Sequence, residues 1–505
     1  MIPLSEKMVV EAGDPDDKTR AEIVDRATQS VKWTVFASLA PRVITPVATI
    51  ILAALLTPDD FGVVAISTLV ISLAQIVTGL GMVSAIIQRQ ASDVLQAATN
   101  AFWINMIAGL CLYVSVWLLA PGVAGAYHIP VLKDVLRVSG LALPVHALGS
   151  IPHALLQREL NFRRLFWVSV SLLVVPAMVA VLLAFMGVGF WALIVGSLTG
   201  SIASIAVAWF SVSWRPRFHM ERSITPSLLG FGIWSLITAL QTWLFSYADN
   251  ALAGLYFGAA GVGIYAMGFT LAGLIPGFAA SVIATVAYPA FCELYRRGEA
   301  LRDTLIRLQE LMAIILFPLA FGVSAVAEET VTQLYGNRWS GLGLVIGWLA
   351  IFPGITNLWS LNAEAYRAVG RADILAKLSA VGLAIMFPLL LITGPLGLTS
   401  FTIARFAGAM FLPLLNILVT ARILGISAKQ QLNILVVPLA ASLVMFIVVR
   451  LFLQVSEPFN GLEGWFSLLV SIILGALIYF GITWWFRRDV VLQIVRALRK
   501  IIING

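Results

Sequence analysis

Phe61-Gly62-Val63-Val64-Ala65-Ile66 returns 201 positions later as Val262-Gly263-Ile264-Tyr265-Ala266-Met267, with glycine second and alanine fifth in both copies. Each copy opens the second apolar run of a series, so the pair marks corresponding places in two related halves. Further along, the offset grows to 208–209: Leu156-Gln157-Arg158 meets Tyr366-Arg367, and Gly189 and Gly200 meet Gly397 and Gly408. The extra residues fit longer loops around the ninth run. Apolar segments also align by chance; the glycine and turn positions favour a true duplication. Parallel repeats of this kind place a substrate path between the halves and alternate its access by rocking one half against the other.

Working outward, the chain is 505 residues long, 60% hydrophobic and only 11% charged, with a mean hydropathy of +0.96. Soluble domains carry about 45–50% apolar and about 25% charged residues. This composition excludes a soluble enzyme, a nucleic-acid-binding protein and a disordered chain. Cys111 and Cys292 stand in separate apolar stretches, and the four histidines supply no metal motif. The polar first thirty residues lack the pattern of a cleaved signal. Fourteen runs then follow that are long enough to cross a hydrocarbon core of about 30 Å: 31–56, 61–87, 97–121, 131–156, 165–186, 190–213, 226–257, 262–291, 308–327, 341–366, 374–393, 397–420, 431–454 and 464–486. The expected fold is an all-α polytopic membrane protein with two six-helix bundles and two added helices.

The net charge of +7 reports topology before it reports a partner. With a cytoplasmic N-terminus, the cytoplasmic side collects 26 of the 32 bases, one (Arg338) lies outside, and five fall within spans. The positive-inside rule thus puts both termini in the cytoplasm. The loops on the other side, such as 57–60, 121–130, 258–261, 328–340 and 456–463, are too short for a catalytic domain. The expected organisation is a polar extension (1–30), an N-lobe (31–213), a linker (214–225), a C-lobe (226–420), two further spans (421–486) and a basic tail (487–505). Val491, Ile494, Val495, Leu498 and Ile502 give that tail an apolar face suited to the anionic inner leaflet.

Polar groups inside apolar helices are the candidate functional residues, since a charge at bilayer depth costs at least about 2.5–3.5 kcal/mol. Thr34, Ser38, Arg42, Thr45 and Thr49 form one stripe on the first span, flanked by Pro41 and Pro46. The seventh span, its repeat partner, carries Ser235, Thr238, Thr242, Ser246 and Asp249. The second adds Thr68, Ser72, Gln75 and Thr78. Hydroxyls alone also serve as helix-to-helix glue; a stripe built around an arginine points to a water-filled path. Lys133, Arg137 and Arg450 are placed where they can snorkel to the surface. Glu364 stands three residues before Arg367, a spacing for a local ion pair. Arg405 lies about eight residues deep. Counting Asp134, Asp249 and Glu364 against Arg42, Lys133, Arg137, Arg405 and Arg450, bases outnumber acids, which suits an anionic substrate.

Several stretches resemble bacterial oligosaccharide flippases of the polysaccharide-biosynthesis family. They are Leu55-Leu56-Thr57-Pro58-Asp59-Asp60-Phe61-Gly62 with Ala85-Ile86-Ile87-Gln88-Arg89-Gln90, then Phe102-Trp103-Ile104-Asn105, and Leu155-Leu156-Gln157-Arg158-Glu159-Leu160-Asn161-Phe162. Gly187-Val188-Gly189-Phe190-Trp191-Ala192-Leu193, Tyr247-Ala248-Asp249-Asn250, Leu316-Phe317-Pro318-Leu319-Ala320 and Leu334-Tyr335-Gly336-Asn337-Arg338-Trp339 are similar to the same family. The resemblance covers about residues 30–480. It implies a transporter, not an enzyme, that moves undecaprenyl-diphosphate-linked repeat units to the outer leaflet of the inner membrane for exopolysaccharide, capsule or lipopolysaccharide assembly. A polysaccharide polymerase and export machinery are the implied partners. No cofactor is implied beyond H+ or Na+ coupling. Asp249 sits where the family pattern commonly has an acidic residue.

The expected diphosphate-binding set, placed by depth and stripe, is Arg42, Arg405, Arg137, Thr45, Ser38 and Gln75. Arg42 meets the head group in the inward state, Arg405 and Arg137 in the outward one. Asp249 is either a coupling site or the partner of a cavity arginine, and Glu364 is a coupling or ion-pair residue. Two alternatives compete. A cation-coupled multidrug extruder of the same superfamily favours acids over bases in its cavity, and a glycan polymerase or ligase carries a large catalytic external loop.

Overall fold

The computed structural model describes residues 44–79, 86, 94–159, 161–217, 225–298, 300–371, 373–455 and 462–504. Among these, all regular structure is helical. A bilayer dictates this, because a backbone crossing hydrocarbon must satisfy its own N–H and C=O groups. The helices are α1 (Ile44–Leu55), α2 (Pro58–Gly79), α3 (Val94–Ala126), α4 (Leu132–Ser139), α5 (Ala142–Arg158), α6 (Phe162–Phe185) and α7 (Trp191–Ser211). There follow α8 (Thr225–Arg296), α9 (Leu301–Tyr335), α10 (Leu342–Ala368), α11 (Asp373–Thr393), α12 (Leu398–Leu424), α13 (Ala428–Val455) and α14 (Leu462–Asn504). The long α8 breaks at Gly258, whose φ of 65° and ψ of −164° are not helical, so its arms are two spans. With α4 and α5 as one crossing, the helices make fourteen spans.

Two edges differ from expectation. The segment 121–130 is not all loop, since α3 continues through Pro121 to Ala126. Likewise α9 runs on to Tyr335 and carries Glu328 and Glu329 as helical residues. The reason is compensation: Arg450 of α13 donates to both Glu329 oxygens at 2.8 and 3.1 Å and to the Ala325 carbonyl at 3.2 Å, so its charge is met within the protein.

Helices α1–α7 pack as one bundle and α8–α14 as a second. At one end they share a single core in which Val63, Ile66 and Leu132 meet Val262, Tyr265 and Trp339. At the opposite end the cores are separate: one around Phe102, Ile151 and Leu155, the other around Phe291, Leu305 and Leu358. The molecule is closed at the first end.

The repeat explains the closure. A Cβ on Gly62 would overlap the Ala259 carbonyl oxygen, and one on Gly263 would overlap the Pro58 carbonyl oxygen. Ala259 stands 201 positions after Pro58, as Gly263 does after Gly62. The two copies of the opening motif therefore cross each other reciprocally, around a pseudo-twofold axis, at a separation only glycine allows.

Local capping completes the lock. Thr57 and Asp60 cap the start of α2: the Thr57 N–H and hydroxyl donate to Asp60 Oδ2 at 2.9 and 2.7 Å, with Pro58 in the first turn. The other carboxylate oxygen accepts from the Phe190 N–H at 2.9 Å, joining the α6–α7 turn. This leaves the last carbonyls of α1 without helical donors, because Thr57 N–H is spent and Pro58 has none. Trp339 Nε1 donates to the Ala53 carbonyl at 2.8 Å and Arg338 Nη1 to that of Ala54 at 3.1 Å. The Phe61 and Trp339 rings meet edge-on at 5.4 Å.

The last two helices belong to the second bundle. Glu329–Arg450 joins α9 to α13, Arg487 pairs with Glu310 at 3.0 Å, and the Tyr479 hydroxyl donates to the Ile314 carbonyl at 2.8 Å.

Candidate functional site

The first arm of α8 carries Asp249, its second arm carries Tyr265, and α12 carries Arg405. The three meet inside the second bundle. Arg405 Nε donates to Asp249 Oδ2 at 2.8 Å, and the Tyr265 hydroxyl donates to the same oxygen at 3.0 Å. Asp249 Oδ1 accepts from the Asn250 N–H at 2.8 Å. The side chains are 2% (Arg405) and 0% (Asp249) exposed. The Arg405 guanidinium lies 4.7 Å from the Phe352 ring centre and 5.8 and 5.9 Å from those of Phe269 and Phe245. Its Nη1 is buried without a hydrogen-bond partner. Arg405 is thus screened by aromatic rings from any water-filled path in this conformation.

The other expected residues lie apart. Arg137, on α4, is 3.9 Å from Asp134 and stacks 4.2 Å over Trp117. Glu364 accepts from Arg367 at 3.0 and 3.2 Å on the same helix. Thr45 is exposed on α1, and Gln75 lines a cavity in the first bundle. Arg42 and Ser38 lie outside the described residues. In the seventh span, Thr242 and Ser246 are exposed, while Ser235 and Thr238 carry no described side chain. The count of intramembrane bases over acids needs correction, because the extended α9 brings in Glu329 to neutralise Arg450. Each intramembrane base among the described residues (Lys133, Arg137, Arg405, Arg450) has an acid within 4.0 Å, with Lys133 and Arg137 sharing Asp134.

Two cavities stand out among the described residues, one at the closed end and one toward the separate core of the first bundle. One of about 580 Å³ lies between α1 and the second bundle and is lined by Pro46, Ile50, Leu271, Phe278, Val323 and Tyr335. It is almost wholly apolar and suits a hydrocarbon chain. The other, of about 260 Å³, lies within the first bundle and is lined by Gln75, His146, Ser150, His153, Ser169, Ser201 and Ser204 among others. Sequence reading missed it by testing the histidines only for metal spacing; the intervals 146–150–153, which share a helical face, were the available signal. It also missed a buried amide network, in which Gln309 donates to Asn362 at 2.6 Å and Asn362 to Thr420 at 2.8 Å. Those partners are 53 and 58 positions apart.

Known proteins place this architecture. The chain is 25% identical over 351 residues to the succinoglycan biosynthesis transport protein ExoT of Rhizobium meliloti, covering 69% of this chain and 70% of that one. It is 24% identical over 432 residues to the lipopolysaccharide biosynthesis protein WzxC of Escherichia coli, covering 84% and 87%. Among solved structures, the lipid II flippase MurJ in an inward closed conformation superposes with a TM-score of 0.75 at 14% identity, over 91% of this chain and 100% of that one. An inward-facing multidrug resistance transporter of the MATE family reaches 0.62 at 16% identity, over 76% and 94%. The sequence model for the family described as "Polysaccharide biosynthesis protein" matches residues 51–342, more than half the chain, and the protein belongs to that family.

Proposed function

We propose that the protein is a flippase that carries polyprenyl-diphosphate-linked oligosaccharide repeat units across the bacterial inner membrane, by alternating access, for exopolysaccharide, capsule or lipopolysaccharide assembly. The observation that carries the reading is the match, over most of both chains, to proteins named for succinoglycan transport and lipopolysaccharide biosynthesis. Two related bundles locked at one end and separate at the other support alternating access. The bias of basic residues supports cytoplasmic termini.

In this reading the head group sits between the bundles at the unlocked end and meets Arg42, which suits a diphosphate because a guanidinium offers paired donors to phosphate oxygens. The apolar cavity beside α1 takes part of the polyprenyl chain. Asp249 serves as the counter-charge of Arg405, so coupling to H+ or Na+ runs through other groups. Its neutralisation also weighs against a cation-extruding drug transporter, which needs a free carboxylate. A deletion strain tests the reading: lipid-linked repeat units should accumulate on the inner leaflet, and the intact gene should restore export. No accumulation, together with a new sensitivity to cationic drugs, would favour the extruder.

A further inference from the structure

The 260 Å³ cavity of the first bundle is a built site. Helix α5 presents His146, Ser150 and His153 on one face, at intervals of four and three residues. Pro152 stands between the imidazoles and deprives the Leu148 carbonyl of its helical donor; the Trp209 indole N–H takes that carbonyl at 3.0 Å and fixes the bend. Gly149 lets Ile205 of α7 close on the helix, where a Cβ would overlap it. Behind the cavity Asn105, 1% exposed, donates to Ser150 Oγ at 3.1 Å.

Three of the four serine hydroxyls that line the cavity have spent their protons on helix carbonyls. Ser150 donates to the Ala147 carbonyl at 3.0 Å, Ser201 to that of Ser197 at 2.9 Å, and Ser204 to that of Ser201 at 3.0 Å. Their oxygens therefore offer lone pairs to the cavity. A lining of acceptors favours a group with N–H donors at both ends, which an imidazole has only when protonated.

No charged side chain lines the cavity. Helix α2 contributes Gln75, α6 Ser169, and α7 Ser201 and Ser204; α3 stands behind with Asn105. The charges on the helices around it include Arg158, held on the Ile86 carbonyl at 2.8 Å, its neighbour Glu159, Arg163 and Arg164 at the start of α6, and Arg215 just after α7. An ionisable side chain kept at bilayer depth calls for a function, and histidine changes charge in the physiological range.

We propose that His146 and His153 form a proton-binding site that gives the first bundle a positive charge when occupied and none when empty. The imidazoles are two helical turns apart, about 10.5 Å along the axis, so a proton on one opposes a proton on the other and the pair takes up one at a time. The site needs no metal and no carboxylate, and it stands on this cavity rather than on the identity of the cargo.

The test is a pH titration by NMR of the full-length protein in nanodiscs with ¹⁵N-labelled histidine, the signals assigned by His146→Gln and His153→Gln. Both imidazoles should gain a proton as the pH falls from about 8 to about 5, and removing one should raise the proton affinity of the other, as for interacting sites. In cells, polysaccharide export should vary with pH, and the double variant should lose that variation. Imidazoles that stay neutral across the range, or that titrate independently, would overturn the proposal. So would a double variant that keeps the wild-type pH profile, or one reduced by the same factor at every pH, which would mark a contact with the sugars. Titration that is intact in a protein whose deletion strain accumulates no lipid-linked units would uphold the proton site while removing the flippase reading.

Discussion

At the scale of single residues, the buried ion pair governs what can be asked of its members. Arg405 and Asp249 are 2% and 0% exposed, and each neutralises the other. Removing one member of such a pair typically costs about 3–5 kcal/mol, whereas replacing both is far less damaging. Asp249→Asn and Arg405→Gln should each lower the yield of folded protein in the membrane several-fold, and the double variant should recover most of it, as read by size-exclusion profiles in detergent. A coupling carboxylate would behave otherwise: Asp249→Asn would fold normally and lose only its ion dependence. Arg42 lies outside the described residues and is singled out by its place in the polar stripe of the first span. Arg42→Ala should abolish polysaccharide export at unchanged protein level; full export by that variant would remove it from the path.

At the scale of elements, closure depends on glycines that let α2 and α8 touch. Gly263→Leu must force the Pro58 backbone away, so the locked end should open and export should fall at least tenfold. A cysteine introduced at Asn337, with Cys111 and Cys292 replaced, should then label faster with a maleimide. Gly273→Ala, where a Cβ meets nothing within 4 Å, is the control and should leave export and labelling unchanged. Hydropathy made the spans legible, and the repeat made the two glycines legible as a pair. It did not show that they face each other, because a helix pattern gives a buried face and not the neighbour that buries it. The extent of α9 was missed for a related reason: Glu328 and Glu329 read as a loop until Arg450, 121 positions away from Glu329, supplied the compensating charge.

At the scale of the molecule, the ion pairs divide the chain into moving parts. Helices α13 and α14 are fastened to α9 near both of its ends, so they should travel with the second bundle. A short bis-maleimide bridge between Glu329→Cys and Arg450→Cys should therefore leave at least half of export intact. The same bridge between Ala53→Cys and Arg338→Cys spans the lock and should stop export altogether. Equal inhibition by both bridges would mean that the last two helices move separately.

The sequence by itself determined that this is an all-helical membrane protein of fourteen spans in two related halves. A hydrocarbon solvent leaves a spanning segment no option but a self-bonded apolar helix, and that requirement is written locally. It also placed Asp249 and Arg405 as residues needing an explanation. Tertiary structure alone decided what that explanation is: a carboxylate and a guanidinium 156 positions apart, joined at 2.8 Å under a cover of phenylalanines. The partner of a buried charge is set by which helix faces pack together, and no short-range pattern carries that information.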